Sequence, residues 1–537
     1  MTWLADIAML SHGWRRFLLL VVAGAVAGMS IPPLFVVPAL FVSFPLWVWC
    51  LDGAERGPGW RRLFGPAFAI GFAFGWGYFT VAFHWIGTAF LVSGGIMIAL
   101  MPFAILALAA LIAFFWGLGS ALAHLFWSHG PWRIVTLATF VTISEWTRGH
   151  VLTGFPFDLL GYALTPTDEM MQITSVIGVY GLTLVAALLA MTPALIWPAD
   201  GRSISRRLLP FFIAMAVIAA QLGYGHNRLT GTVSRERTDI AIRLVQPLVY
   251  EHADWGNADP VALIDRLQML SEMRMDPADQ GLADITHLVW PESSLPFFLS
   301  SYPDALARIA RMLPETTTLL AGIPRQQYAL DQNQSSGPPF NALMAINTNG
   351  EVMASYDKSH LVPFGEFLPF SQFFSKLGIK QFVPGAEGWT HGDARRRLMS
   401  LPNTPAFLAL ICYEILFSGD LGDTIDAQFI LNITNDAWFD GSIGPAQHAH
   451  HARVRAVEEG LSLVRAANTG LTFATDPLGR VTGQIEPLQM AVLDVRPHQR
   501  LAGTVFSQVR HWPLLIALLA GLLISLVVSR AGRRRAV

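Results

Sequence analysis

From Leu63 to Trp132 the chain carries no Asp, Glu, Lys or Arg, a run of 70 residues without a charged side chain. One helix needs only about 20 apolar residues to cross a bilayer. The run therefore holds two crossings, divided at the Ser93-Gly94-Gly95 turn. Ile31-Pro32-Pro33 divides residues 17–51 in the same way, because proline disfavours helix at the residue before it. Further apolar runs near 134–150, 170–197, 208–226 and 512–529 bring the expected count to eight transmembrane helices. Composition agrees: 14% of residues are charged, against about a quarter in a water-soluble chain. The chain reads as a polytopic α-helical membrane protein.

Charge orients it. With the N-terminus in the cytoplasm, the inside flanks hold Arg15, Arg16, Arg56, Arg61, Arg62, Arg133, Arg202, Arg206 and Arg207. Arg530, Arg533, Arg534 and Arg535 follow the last run, while the short outside connections hold Arg148. The positive-inside rule places both termini in the cytoplasm. No small-residue cleavage site precedes the second span, so the first is not read as a removable signal peptide. A net charge of −2 offers no basic field, and no nucleic-acid partner is expected.

Seven spans before residue 228 and one after 510 leave 228–510 outside. The expected organisation is a seven-helix domain at 1–227, an inserted domain at 228–510, and a last helix with its basic tail at 511–537. The inserted part is a different kind of sequence. "IAIRLVQP", "ITHLVWPE", "TTLLAGIP", "FNALMAIN", "EVMASYDK", "FLALICYE" and "FILNITND" read as strands, mostly buried on both faces. Asp259-Pro260 starts a helix, with the stripe Val261, Ile264, Leu267 and Leu270 behind it; 301–313 and 445–460 read as two more. This is one α/β domain.

Three of its strands end on residues that can do chemistry: Glu292, Lys358 and Cys412. Strand ends are where α/β domains gather their sites. The two cysteines, Cys50 and Cys412, lie in contrasting surroundings, and no disulfide is expected. Cys412 is therefore either a small hydrophobe in a core or a nucleophile. As a nucleophile it needs a base and a nearby cation, and Glu292 and Lys358 are the candidates.

Glu, Lys and Cys in this order, with "GEF" after the lysine, resemble the triad of the nitrilase, or carbon–nitrogen hydrolase, superfamily. Set between seven spans and one, the whole chain resembles the apolipoprotein N-acyltransferase family. "EWTRG" (145–149), "GFPFDLLGY" (154–162), "NDAWFD" (435–440) and "RAANTG" (465–470) carry that resemblance. It implies an α-β-β-α sandwich on the periplasmic side of a bacterial inner membrane. It also implies a two-step transfer without metal or cofactor. Cys412 takes the sn-1 acyl chain of a membrane phospholipid as a thioester, and Glu292 is the base. The α-amino group of a diacylglyceryl-apolipoprotein then accepts the chain. The family pattern further places Glu366, Tyr413 and Glu414 in the site, with Trp255 and Asn341 shaping it.

"LVPFGEFLPFSQFF" reads as an arm that dips into the interface and admits acyl chains, through Phe364, Phe367, Leu368 and Phe370, with Phe373 and Phe374 beyond. Core packing is the competing reading for each. His448 and His451 share a helix face as a metal pair would, without a third ligand at matching spacing. A Cys412–His360 dyad is another arrangement. Two further functions stand beside the transferase: a membrane-tethered amidase, and a receptor built on a non-catalytic domain of the same fold.

Overall fold

The computed structural model describes residues 2–535, apart from 56–57, 129, 198–202, 251–258, 276, 278, 327–338, 371–375, 377–387, 396–397 and 423. Trp255, Phe373 and Phe374 lie outside the described residues. Two compact units divide the chain: Met1–Thr232 with Gln508–Val537, and Val233–Ser507.

The first unit is helical. α1 (Thr2–Leu10) precedes α2 (Gly13–Gly28), α3 (Pro38–Asp52), α4 (Pro66–Phe83), α5 (Ile96–Leu125), α6 (Arg133–His150), α7 (Thr174–Met191) and α8 (Ile204–Gly231). A last helix runs over Trp512–Arg535. α2 and α4 approach through glycine: a Cβ at Gly24 would stand 1.9 Å from the Phe74 carbonyl oxygen, and one at Gly77 1.9 Å from that of Val21. Small residues at such crossings let backbones touch where lipid provides no hydrophobic drive.

Among the described residues, five stretches are long and apolar enough to cross a membrane: Arg62–Val92, Ile96–Leu125, Thr174–Leu195, Ile204–Gly231 and Trp512–Ala531. The expected eight are thus not all met by length and hydropathy. α2 has 16 residues and α3 15. α6 carries Glu145 and Arg148 inside it. Those two pair with each other, as their i, i+3 spacing allows: Arg148 Nε lies 2.7 Å from Glu145 Oε1, both side chains buried. Arg148 Nη1 donates to the Phe155 and Phe157 carbonyls at 2.6 and 2.9 Å. Trp116 Nε1 and the Leu160 amide donate to Glu145 at 2.7 and 3.2 Å.

The second unit holds two six-stranded sheets. The first has the order β12-β1-β2-β3-β4-β5, the second β11-β10-β9-β8-β7-β6. The strands are β1 (Ile242–Gln246), β2 (His287–Trp290), β3 (Thr318–Arg325), β4 (Phe340–Ile346), β5 (Val352–Asp357), β6 (Met399–Leu401), β7 (Thr404–Ile411), β8 (Phe429–Thr434), β9 (Ser462–Ala467), β10 (Thr472–Thr475), β11 (Val481–Ile485) and β12 (Ala491–Val495). β1, β2 and β3 run parallel, as do β7, β8 and β9.

Alternation along each strand builds the layers. Ile242, Leu244, Val289 and Leu320 meet Phe407, Ala409, Ile411, Leu431 and Val464 in one inter-sheet core. Val245, Leu288, Trp290 and Leu319 face the other way, against Leu263, Leu267 and Leu270 of α9 (Pro260–Ser271) and Ile309 of α10 (Pro303–Met312). α11 (Gly444–Glu459) packs against β9 of the second sheet. Helix, sheet, sheet, helix is the expected layering.

Candidate active site

Each of the three reactive residues follows a strand: Glu292 after β2, Lys358 after β5, Cys412 after β7. Gly322 on β3 makes room for the first, since a Cβ there would stand 2.6 Å from the Glu292 Cα. Lys358 is fixed through its own amide, which donates to the Asn341 carbonyl at 2.8 Å. Cys412 has φ +51, in the left-handed region. A side chain there costs about 1–2 kcal/mol, so the surrounding contacts must hold it.

The three side chains converge. Lys358 Nζ lies 3.0 Å from Glu292 Oε1 and 2.8 Å from Glu366 Oε1. Asn341 Nδ2 donates to the same two oxygens at 2.7 and 3.1 Å. The Asn435 amide donates to Glu292 Oε2 at 2.8 Å, and the Val362 amide to Glu366 Oε2 at 2.8 Å. Glu292, Lys358, Glu366 and Asn341 are buried, and Cys412 is half-buried.

Electrostatics follow from that geometry. Burial pushes the Glu292 carboxyl up; the Lys358 ammonium pulls it back down, and the Glu366 carboxylate adds to the rise. The net direction is upward, toward the range a general base needs. Burial works against the Lys358 charge, but Glu292 and Glu366 overcome it and hold the ammonium charged. Burial and the Glu292 carboxylate push the Cys412 thiol up, against Lys358. The resting sulfur therefore keeps its proton.

Glu414 does not join this charge cluster. Its carboxylate accepts from the Ser359 amide and hydroxyl at 2.8 and 2.7 Å, from Tyr356 Oη at 2.8 Å, and from the Ile411 amide at 2.8 Å. It ties the loop after Lys358 to the turn that carries Cys412. Tyr413 is buried edge-on to Phe417, centroids 5.3 Å apart. His360 places its ring 4.2 Å from the Phe417 centroid. On the arm, Phe364, Phe367 and Leu368 are half-buried, and Phe370 is 66% exposed.

Sequence reasoning weighed His448 beside His451 as a metal pair and did not bring it together with Asp436 and Arg465 in one layer beneath Cys412. Asp436, His448 and Arg465 are buried there: Arg465 Nη2 lies 3.0 Å from Asp436 Oδ2, and His448 Nδ1 3.0 Å from Asp436 Oδ1. The available signal was an arginine inside the otherwise uncharged strand "SLVRAA". Ligating atoms of Cys412, Asp436 and His448 lie within 4.8 Å of one another, a spacing a metal ion can use. The local charge opposes a cation, because Arg465 already neutralises Asp436 and Lys358 faces the sulfur.

Known proteins match this chain along its length. Residues 23–192 match the apolipoprotein N-acyltransferase N-terminal domain, and residues 257–496 the carbon-nitrogen hydrolase family. The apolipoprotein N-acyltransferase of Rhodopseudomonas palustris is 39% identical over 522 residues, covering 97% of this chain and 96% of its own. That of Bradyrhizobium diazoefficiens is 38% identical, with 98% and 96% covered. Among solved structures, an amidase from Nesterenkonia is 17% identical with a TM-score of 0.35, over 53% of this chain and 98% of its own. On the strength of the full-length identities, the chain belongs to the apolipoprotein N-acyltransferase family.

Proposed function

We propose that the enzyme moves the sn-1 acyl chain of a membrane phospholipid, through a thioester on Cys412, to the α-amino group of an S-diacylglyceryl-cysteine at an apolipoprotein N-terminus. The observation that carries this reading is the ion pair of Glu292 and Lys358, 3.0 Å apart and buried beside a half-exposed thiol. Glu292 takes the thiol proton as sulfur attacks the ester carbon. Lys358 stabilises first the thiolate and then the oxyanion. Collapse breaks the ester C–O bond, Glu292 returns the proton to the leaving oxygen, and a lysophospholipid departs.

The second half reverses the roles. The acceptor amine attacks the thioester, Glu292 takes its proton, and the C–S bond breaks to restore the thiol. Glu366 and Asn341 position the base and the ammonium, and Glu414 and Tyr413 position the loops; Trp255 is assigned to shaping the site by family pattern alone. Both halves are acyl transfers without redox change, so the chemistry calls for no cofactor.

Membrane residence suits this substrate. At about 0.8 kcal/mol per buried CH₂, an acyl chain is held in the bilayer by on the order of 10 kcal/mol. We assign eight spans, with α2, α3 and α6 joining the five longer stretches. Both termini lie in the cytoplasm of a bacterial inner membrane and residues 228–510 in the periplasm, as the arginine distribution supports. Phe364, Phe367, Leu368 and Phe370 form the lipid entry.

The test is direct. Purified protein incubated with phospholipid labelled at sn-1 gains one acyl mass on the Cys412 peptide, labile to hydroxylamine, and releases lysophospholipid. Cys412→Ala gains none. An amidase would instead release its product to water, and a receptor would form no adduct.

A further inference from the structure

The main chain of Cys412 is held by a side chain that the acyl-transfer chemistry leaves unused. His448, on α11, places Nε2 3.2 Å from the Cys412 carbonyl oxygen. Its Nδ1 lies 3.1 Å from Arg465 Nη2 and 3.0 Å from Asp436 Oδ1. All three neighbours have fixed roles: a guanidinium only donates, and a carbonyl and an ionised carboxylate only accept, so on a neutral ring Arg465 and the Cys412 carbonyl stand together against Asp436. The first two are met by one tautomer, with Nδ1 accepting from Arg465 and Nε2–H donating to Cys412, and Asp436 is then met by Arg465 and Thr434 instead. A second proton on the ring would turn Nδ1–H to Asp436 and leave Nε2–H in place. In either form a hydrogen faces the nucleophile's carbonyl.

The frame behind His448 is rigid. Arg465 Nη1 donates to Asn432, its register partner on β8, and Asn432 Nδ2 donates to the Leu410 carbonyl at 3.1 Å. Thr434 donates to Asp436 Oδ1 at 3.2 Å. Gly470 closes the far side, where a Cβ would stand 2.4 Å from Asp436 Oδ2. β7, β8, β9 and α11 are thereby tied into one support beneath a residue whose φ is +51. Arg465 spends both its Nη atoms in this network, and buried polar networks of this kind fix geometry.

We propose that His448 is a positioning residue for the nucleophile. Its Nε2–H grips the Cys412 carbonyl and keeps the residue in the left-handed conformation that presents the sulfur, while Arg465 and Asp436 set the ring's tautomer and angle. This rests on Cys412 being the nucleophile. The hydrogen bond goes to the main chain, so His448 takes no proton from the thiol.

Two amide substitutions separate the ring nitrogens. His448→Gln can place an N–H where Nε2 stood, and His448→Asn only where Nδ1 stood. A ~10²-fold fall in acyl-enzyme formation is expected for His448→Asn, the scale of an ångström-size misplacement, with KM for phospholipid unchanged. His448→Gln should recover most of that rate. A ¹³C-carbonyl label on cysteine, in a Cys50→Ala background, reports Cys412 alone, since the chain has two cysteines. Its amide I band should shift to higher frequency in His448→Asn and stay near the parent position in His448→Gln.

Parental rate and band in His448→Asn overturn the proposal. So does a His448→Gln protein that melts like the parent yet acylates no faster than His448→Asn. Should His448→Asn not fold, His448→Gln decides alone, by whether it keeps the band and most of the rate. An acyl adduct that survives Cys412→Ala removes the nucleophile reading and this proposal together. An adduct lost in Cys412→Ala, with an unmoved band in His448→Asn, removes the proposal alone.

Discussion

Two buried carboxylate–cation pairs sit in the two units of this chain, and they do different work. In the helical unit, Arg148 meets Glu145 at 2.7 and 3.0 Å and spends its remaining donors on loop carbonyls. The guanidinium pairs with the Glu145 carboxylate, which accepts in turn from Trp116 and Leu160, while burial pushes the neighbouring Asp158 carboxyl well up, toward its uncharged form. In the α/β unit, one ammonium faces two carboxylates, Glu292 and Glu366, beside a thiol that remains partly open. Burial is the same in both. What differs is charge balance: burial pushes Glu292 up, Lys358 pulls it down, and Glu366, sharing that ammonium, adds to the rise. A closed pair suits a structural fastening, whereas an unbalanced one suits the proton transfer proposed for Glu292.

That contrast predicts opposite phenotypes. Glu292→Gln keeps the shape and removes the proton acceptor. Acyl-enzyme formation, followed by rapid quench with labelled phospholipid, should fall ~10³–10⁴-fold, near the upper end for a general base. The melting temperature should hold or rise, because one of two competing carboxylates is gone. Arg148→Met should do the reverse, leaving Glu145 buried and unpaired at a cost of about 3–5 kcal/mol, read by unfolding in detergent. Activity per folded molecule should persist, and Glu145→Gln combined with Arg148→Met should restore much of the stability. A catalytic loss from Arg148→Met without loss of stability would erase the distinction.

How much of this was legible depended on how local the signal was. Glu292 and Cys412 each close a continuous apolar run, and such runs announce buried parallel strands, whereas Lys358 follows β5, an antiparallel edge strand that is mostly part-exposed. β11 and β12 are short, and few of their residues are buried, so they gave no period to read. β12 pairs with β1 across some 250 residues, Ile242 with Val495, a neighbour that no local pattern names. The span count is not confirmed at α6, where hydropathy cannot distinguish an exposed charge from Glu145 sealed by Arg148. Arg465 was visible as a charge inside an apolar strand, but its partners come from β8, the turn at Asp436 and α11, which meet only on folding.

A smaller effect separates two carboxylates within the site. Burial pushes the Asp436 carboxyl up, but Arg465 and His448 pull harder and hold it at about 2, from 3.8. Its folded value is depressed, so its contribution, about 2.5 kcal/mol, is full above the unfolded value and lost as pH falls from about 4 to 2. Glu292 has the opposite sign: raised on folding, it favours the folded state at low pH and loses that contribution as pH rises through its folded value. Acid titration of unfolding free energy should therefore flatten below pH 4 in Asp436→Asn and stay steep in Glu292→Gln. The same slope in both would show that the charges around Asp436 do not act as drawn.

The smallest effect belongs to the arm. Glu366 and Phe367 are neighbours in one turn, held by the Phe364 amide donating to the Phe367 carbonyl at 2.8 Å, yet they face different tasks. Glu366 turns inward to Lys358, while Phe367 lies edge-on to His391, centroids 5.3 Å apart, and keeps part of its ring accessible. Replacing Phe367 and Leu368 together with serine removes apolar surface from the proposed lipid entry and leaves the charge cluster intact. Thioester formation should slow ~10-fold through a higher KM for phospholipid, at unchanged melting temperature, the scale of losing a few methylene contacts. Acylation of Cys412 by a short-chain, water-soluble thioester should be unaffected, since it needs no lipid entry. If both donors slow equally, Phe367 and Leu368 support the site from within, and the arm is core.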